Sequence, residues 1–269
     1  MLDHEHIPLL DHGYVRVVDT WGTDERVVEA ARMSTAKGFQ GWGGAPCPDC
    51  KLAGRLDPHD SLFLNTECYQ QAKSCVCKGS GVTSGDEKLL AYLWKHKHAT
   101  PFEMLGATFE IKAPIFVMRE WMRHRSASYN ELSARYTAIP DEHYVPSVER
   151  LLHNANGTNK QANRADGALP LTVDDAVKFQ ASMIALNMHA QSVYAAALSS
   201  GVPKELARCV IPVGRYSVMR ASANLRNWLG FISLRSDSSA QWEIQQYSNT
   251  VRDCLIQAFP RVMDVVAAA

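Results

Sequence analysis

The stretch RHRSASYNELSARY, residues 123–136, holds the densest set of reactive side chains in this 269-residue chain. Arg119, Arg123, His124 and Arg125 crowd the end of one predicted helix. Cations there complement the helix dipole, so a solvated basic end is one reading. Arg119 and Arg123 form an i, i+4 pair, whereas His124 and Arg125 point about 100° and 200° away from Arg123. Three groups so disposed serve two ligands, or one ligand and a neighbouring subunit. If the following residues are extended, Glu131, Ser133 and Arg135 share one face. A carboxylate, a hydroxyl and a guanidinium on one face suit sugar hydroxyls and phosphate.

A second cluster is made of cysteines. Five of the seven lie between residues 47 and 77. Cys47 and Cys50 flank a Pro-Asp pair, and 24 intervening residues separate them from Cys75 and Cys77. Two thiolate pairs suit a closed tetrahedral zinc site, with Cys68 or His59 as a substitute ligand. Reduced cysteines in a metal-free loop and a redox pair are the alternatives. Residues 40–82 contain few large apolar side chains, so a staple is needed to order them. Cys209 and Cys254 fall in predicted helices and read as small core hydrophobes. Trp228, Trp242 and Tyr247 read as core.

Composition narrows the class. Apolar residues make up 46% and charged residues 21%, a globular composition. Twenty-eight basic residues balance 28 acidic ones, so the basic footprint of a nucleic-acid binder is missing. No apolar run reaches the ~18 residues of a membrane span. The first residues carry acids where a signal peptide carries Lys or Arg. A cytoplasmic protein is expected, and a disulfide framework is not.

The elements that must position these groups follow from pattern. Residues 7–20 predict a strand or hairpin, and Thr23 starts a helix to about Met33. Residues 37–85 break pattern, and helix resumes at Asp86. Residues 104–113 alternate like a strand, and Pro114 opens a helix from Ile115 to about Arg125. Residues 153–171 predict a loop. Thr172 with Asp175 caps a long helix to about Ser199, stopped by Ser200-Gly201. Pro203 opens another helix, and two more are predicted over 221–234 and 239–258. The expected fold class is α+β, a mixed helix and antiparallel-sheet body.

Arg123-His124-Arg125, seven residues and then Ser133 resembles the signature of flavin-dependent thymidylate synthases, the ThyX family. HKHATPFE (96–103), SGVPKELARCVIP (200–212) and NLRNWLGFISLRSDSSAQWEIQQY (224–247) agree in order. The resemblance covers residues 8–36 and 86–260. It implies one ThyX-like catalytic domain over residues 1–269, with residues 40–82 as an added insert. It also implies FAD, reduced by NADPH, and methylenetetrahydrofolate as one-carbon donor to dUMP. A homotetramer with composite active sites is implied as well.

By the same resemblance, Arg235, His98 and Ser133 are the catalytic candidates. Thr100, Arg123, His124, Arg125, Asn130 and Glu131 would contact FAD, together with Asn224, Leu225 and Arg226. Glu120, Trp121, Met122 and Arg123 would meet dUMP, as would Glu131, Leu132, Ser133, Ala134 and Arg135, with Arg208 and Arg235. Arg235 is the group expected to stabilise charge on the pyrimidine. The chain departs from the family pattern at Gly230 (usually Asn), Ser239 (usually His) and Met104 (commonly His). The alternatives are a C5-methylase or hydroxymethylase of UMP or dCMP, or a zinc-bearing interaction module on an inactive scaffold.

Overall fold

A computed structural model describes residues 5–43, 85–153 and 170–268. Cys47, Cys50, Cys75 and Cys77, with His59 and Cys68, lie outside the described residues. Among the described residues no group of side chains assembles as a metal site. No described helix is long and apolar enough to cross a membrane. Two compact units emerge, one from residues 1–21 and 106–258, the other from 22–105 and 259–269.

The first unit is built on an antiparallel sheet. Its strands are β1 (Ile7–Leu9), β2 (Gly13–Trp21), β3 (Gly106–Pro114), β4 (Ser128–Glu131) and β5 (Tyr216–Asn224), in the order β1-β2-β3-β5-β4. The register sets Val15 opposite Ile111, Val17 opposite Phe109 and Phe109 opposite Ala221. All of these are buried. One residue further along each strand, the other face carries Tyr14, Arg16, Glu110 and Arg220. There the Glu110 carboxylate accepts from Arg16 at 2.8 Å and from the Tyr14 hydroxyl at 3.2 Å. A bulge between Val17 and Asp19 interrupts the β2–β3 pairing.

Helices α7 (Leu225–Arg235) and α8 (Trp242–Ala258) belong to this unit. Small residues on the buried face let α7 approach closely. The buried Trp228 indole donates to the Ala107 carbonyl at 3.0 Å and meets Phe109 edge-on at 5.1 Å. Gly106 sits where backbones nearly touch. A Cβ there would collide with the Trp21 ring and the Ala223 carbonyl. Gly106→Ala should therefore destabilise the protein by about 1–3 kcal/mol, through overpacking against a carbonyl that cannot yield. Thermal unfolding checks this, and an unchanged midpoint would mean that the β3–β5 pair opens without cost.

The structure corrects several boundaries. The helix predicted over 221–234 starts at Leu225, because residues 216–224 form β5. Asn224 caps that helix, accepting the Asn227 N–H at 3.0 Å. The helix predicted to reach Arg125 is α3 (Ile115–Trp121), four residues shorter. After Pro203, α6 (Lys204–Ala207) passes into a 3₁₀ turn at Arg208–Val210, so Cys209 is exposed and is no core residue. Cys254 is buried as expected. The long helix, α5 (Val173–Ser199), has the predicted cap, with Thr172 Oγ1 accepting the Asp175 N–H at 3.1 Å. The short α4 (Val148–Leu152) precedes it and supplies Arg150, which pairs with the buried Glu243 at 2.8 Å.

The second unit holds α1 (Asp24–Arg32), α2 (Glu87–Lys95), a 3₁₀ turn at Thr100–Glu103 and α9 (Pro260–Ala267). Thr23 occupies the N-cap of α1 but its side chain makes no capping bond. Asp24 works elsewhere. Its buried carboxylate accepts the N–H groups of Arg261 and Val262, both at 3.1 Å, and so caps α9. Asp86 is fully buried and binds the Arg32 guanidinium and the Gln40 N–H. His98 and Thr100 belong to this unit and are exposed.

Candidate active site

The basic motif lies in turns rather than on a helix. After Trp121 the chain tightens: His124 N–H bonds the Trp121 carbonyl at 2.9 Å, and Arg125 N–H bonds the Arg123 carbonyl at 3.1 Å. The helical divergence expected for residues 123–125 therefore does not apply. Arg123 and Arg125 are exposed, while His124 is half-buried. The common extended face of Glu131, Ser133 and Arg135 is also absent. Strand β4 ends at Glu131, and Ser133 begins a turn, accepting the Arg135 N–H on Oγ and the Tyr136 N–H on its carbonyl.

Arg235, the last residue of α7, is the best-anchored cation in this region. Its Nε donates to His124 Nε2 at 3.0 Å, and Nη2 donates to the Glu120 carbonyl at 3.0 Å. Its Nη1 pairs with the Glu120 carboxylate. The side chain is only 12% exposed. A guanidinium has five N–H groups, so three fixed bonds still leave donors for a ligand. His124 accepts at Nε2 and is therefore neutral, with its proton on Nδ1. Burial and the neighbouring Arg235 charge both lower its pKa.

Beside this group is a cleft of about 410 Å³, lined by His124, Tyr129, Arg226, Asn227, Phe231 and Gly230 among others. Aromatic rings form its wall, with Phe231 4.9 Å from His124 and 4.2 Å from Trp121. A Cβ on Gly230 would meet nothing within 4 Å, so the cleft is open there. Asn130 and Glu131 lie exposed on β4, opposite Arg220 and Met219. Trp121 and Leu225 are fully buried, so their side chains belong to the core. Ala134 is buried as well, whereas Met122 is exposed and Leu132 half-buried.

A second group forms around Glu205. Arg135 pairs with its carboxylate at 3.0 Å, and Arg208 Nε donates to its carbonyl at 3.3 Å. The two exposed guanidiniums thus meet one residue, Arg135 at its carboxylate and Arg208 at its main-chain carbonyl. Ser133 precedes this group in the same turn as Arg135. Glu205, Tyr129 and Phe231 were not singled out by sequence, since none has a distinctive spacing.

Residues 16–261 match the family of thymidylate synthase complementing proteins. The chain belongs to that family. It is 33% identical over 242 residues to a flavin-dependent thymidylate synthase of Thermotoga neapolitana, covering 90% of this chain and 85% of the relative. It is 34% identical over 254 residues to the enzyme of that name from Thermus thermophilus, covering 94% and 75%. Among solved structures it resembles a UMP/dUMP methylase, PolB, from Streptomyces cacaoi bound with 5-Br dUMP. The TM-score is 0.70 at 30% identity, covering 97% of both chains.

The neutral histidines give the family member a pH signature. His124 and His143 both have lowered pKa values, from burial first and then from Arg235 and Arg215 respectively. The unfolded chain takes up these protons near pH 6.5, while the folded chain resists them. Their contribution to stability is thus complete above about pH 6.5 and is lost as pH falls through the depressed folded values. Urea unfolding should show a lower midpoint at about pH 5.5 than at pH 7, and His143→Gln should shrink the difference. An undiminished difference would remove His143 from the account.

Proposed function

We propose that the protein is a flavin-dependent thymidylate synthase that reductively methylates dUMP to dTMP, with FAD, NADPH and methylenetetrahydrofolate. The observation that carries this reading is the Arg235 guanidinium, held beside an aromatic cleft in a chain of this family. The cleft fits a flavin: it has ring-lined walls, open space at Gly230, and Arg226 with Asn227 on its border. His124, Arg226 and Asn227 would hold the flavin, with Arg123 and Arg125 near its phosphates. When bound, it supplies the hydride chemistry.

The chain's own residues bind and polarise the nucleotide. Arg135 and Arg208 offer planar forks for phosphate, in place of the Glu205 contacts they now make. Uracil C5 becomes nucleophilic when negative charge on O4 and N3 is stabilised, and a fixed guanidinium does this without reorganising. Arg235 fills that role, with the planar donor fork of a guanidinium. His98 and Ser133 complete the catalytic set in this reading. UMP is the second substrate considered, because the PolB relative is named for both nucleotides.

The reading extends to assembly. Helix α5 exposes Phe179, Leu186 and Met188 at 51%, 61% and 70%, apolar surface that a subunit interface would cover. A cytoplasmic homotetramer with sites shared between subunits accounts for it. Residues 1–269 would act as one catalytic domain carrying residues 40–82 as an insert. Mixing inactive Arg123→Ala and Ser133→Ala proteins should then restore part of the activity, as intact sites form from complementary subunits. No recovery after subunit exchange would place both residues on one chain's site.

A structural zinc on Cys47, Cys50, Cys75 and Cys77 belongs to the same proposal, resting on spacing alone. Elemental analysis should find about one zinc per chain, and Cys47→Ser should lower it. The function itself is tested by the absorption spectrum of purified protein and by product analysis with dUMP, UMP and dCMP. A flavin spectrum with labelled dTMP supports the reading. Protein that binds flavin but methylates none of the three overturns it.

A further inference from the structure

Helix α3 ends at Trp121, and carbonyls at such an end need partners from outside the helix. The Trp121 carbonyl receives the His124 N–H at 2.9 Å and the Tyr129 hydroxyl at 2.7 Å. The same hydroxyl lies 3.2 Å from the His124 carbonyl, so its one proton is shared between two acceptors. Tyr129 itself is fixed, since it sits within β4 and pairs with Ala221 of β5. The turn carrying Arg123, His124 and Arg125 is thus tied to the sheet at two carbonyls. That turn and the end of α3 present His124 Nε2 and the Glu120 carbonyl to Arg235.

We propose that Tyr129 is a positioning residue, whose hydroxyl fixes the turn that aims His124 and Glu120 at the Arg235 guanidinium. The proposal rests on the reading that Arg235 acts on the pyrimidine. Two features suit the role. Burial raises the Tyr129 pKa to about 12, so the hydroxyl remains a donor throughout the working range. Each of the three Arg235 nitrogens already has a bond to this end of α3 or its turn, so a shift of the turn displaces the whole guanidinium. A misplacement near 1 Å in a reacting constellation costs up to about a hundredfold in rate.

Tyr129→Phe keeps the ring against the cleft and removes only the donor. It should lower turnover with dUMP about ten- to a hundredfold, with a smaller change in KM. The decisive second readout is the His124 imidazole titration by NMR. Burial lowers the pKa of that ring most, and of the charged groups beside it Arg235 lowers it and Glu120 raises it. If Arg235 swings away, the His124 pKa should rise toward the ordinary histidine range in Tyr129→Phe. Turnover and titration both unchanged would overturn the proposal, as would a lower melting temperature with His124 and turnover unmoved. Should the variant not fold, the wild-type Tyr129 hydroxyl decides by NMR: a slowly exchanging hydroxyl proton supports the proposal, and one that exchanges freely with solvent means that it does not hold the turn and overturns it. Failure of the functional reading is separate, because full turnover by Arg235→Ala would sink that reading whatever His124 does.

Discussion

Replacing Arg235 by Ala should lower turnover with dUMP about 100- to 1,000-fold while nucleotide affinity falls less than about tenfold. The reason is differential binding. A guanidinium facing a neutral base gains little in the ground state and much as charge develops on the ring. The geometry strengthens the expectation, because His124 and Glu120 hold the group before any substrate arrives. Preorganised donors need no rearrangement at the moment of reaction. Arg235→Lys should recover part of the loss, since it keeps charge but cannot reach His124 and the Glu120 carbonyl at once. Steady-state kinetics and nucleotide titration check both variants. An Arg235→Ala protein with normal turnover and only weakened dUMP binding would make Arg235 a binding residue and nothing more.

Arg215→Met should cost about 3 kcal/mol of folding stability, the lower part of the range for breaking a buried charge pair. Arg215 is 1% exposed. Its guanidinium donates to Asp141 at 2.9 Å, to the Ile139 carbonyl at 3.2 Å and to Gln191 of α5 at 2.5 Å, and it also meets His143. Methionine fills much of the volume and satisfies none of these acceptors. Asp141 is half exposed and can turn to water, which holds the loss below the maximum. Melting should fall by roughly 6–12 °C, at 2–4 °C per kcal/mol for a body of this size. Asp141→Asn should cost much less, because it leaves the buried side its other partners. A drop under about 1 kcal/mol for Arg215→Met would show that the loop around Ile139 and α5 are held together by packing instead.

The motif was legible because chemistry demands particular side chains at fixed spacing, and Arg123, His124, Arg125 and Ser133 satisfy that demand in sequence alone. Their geometry was not legible. Helical periodicity was extended from α3 into a turn that side-chain and backbone bonds set instead. Strand β5 was missed for a physical reason. Beyond Tyr216 its buried positions are Ser217, Met219, Ala221 and Ala223, small or flexible residues with weak strand preference. Ala221 and Ala223 read as the start of a helix when their strand partners are a hundred residues away. The cap at Thr172 was legible because it is local. Tyr129 was invisible for the opposite reason, since its partners are carbonyls, which every residue possesses.

Three of the five strands meet only partners distant in sequence: β3 pairs with β2 and β5, and β4 pairs with β5. The central pair, Glu110 with Arg220, closes a loop of about 110 residues. On a ribosome adding roughly 5–20 residues each second, β2 emerges about 10–40 seconds before β5 is complete. Once β3 is made, for the last roughly 5–20 seconds of that interval, it has one neighbour and an open edge, and the apolar side of the half-built sheet has no α7 to cover it. The nascent chain should therefore be a substrate for cellular chaperones, and refolding from denaturant should slow and lose yield as protein concentration rises.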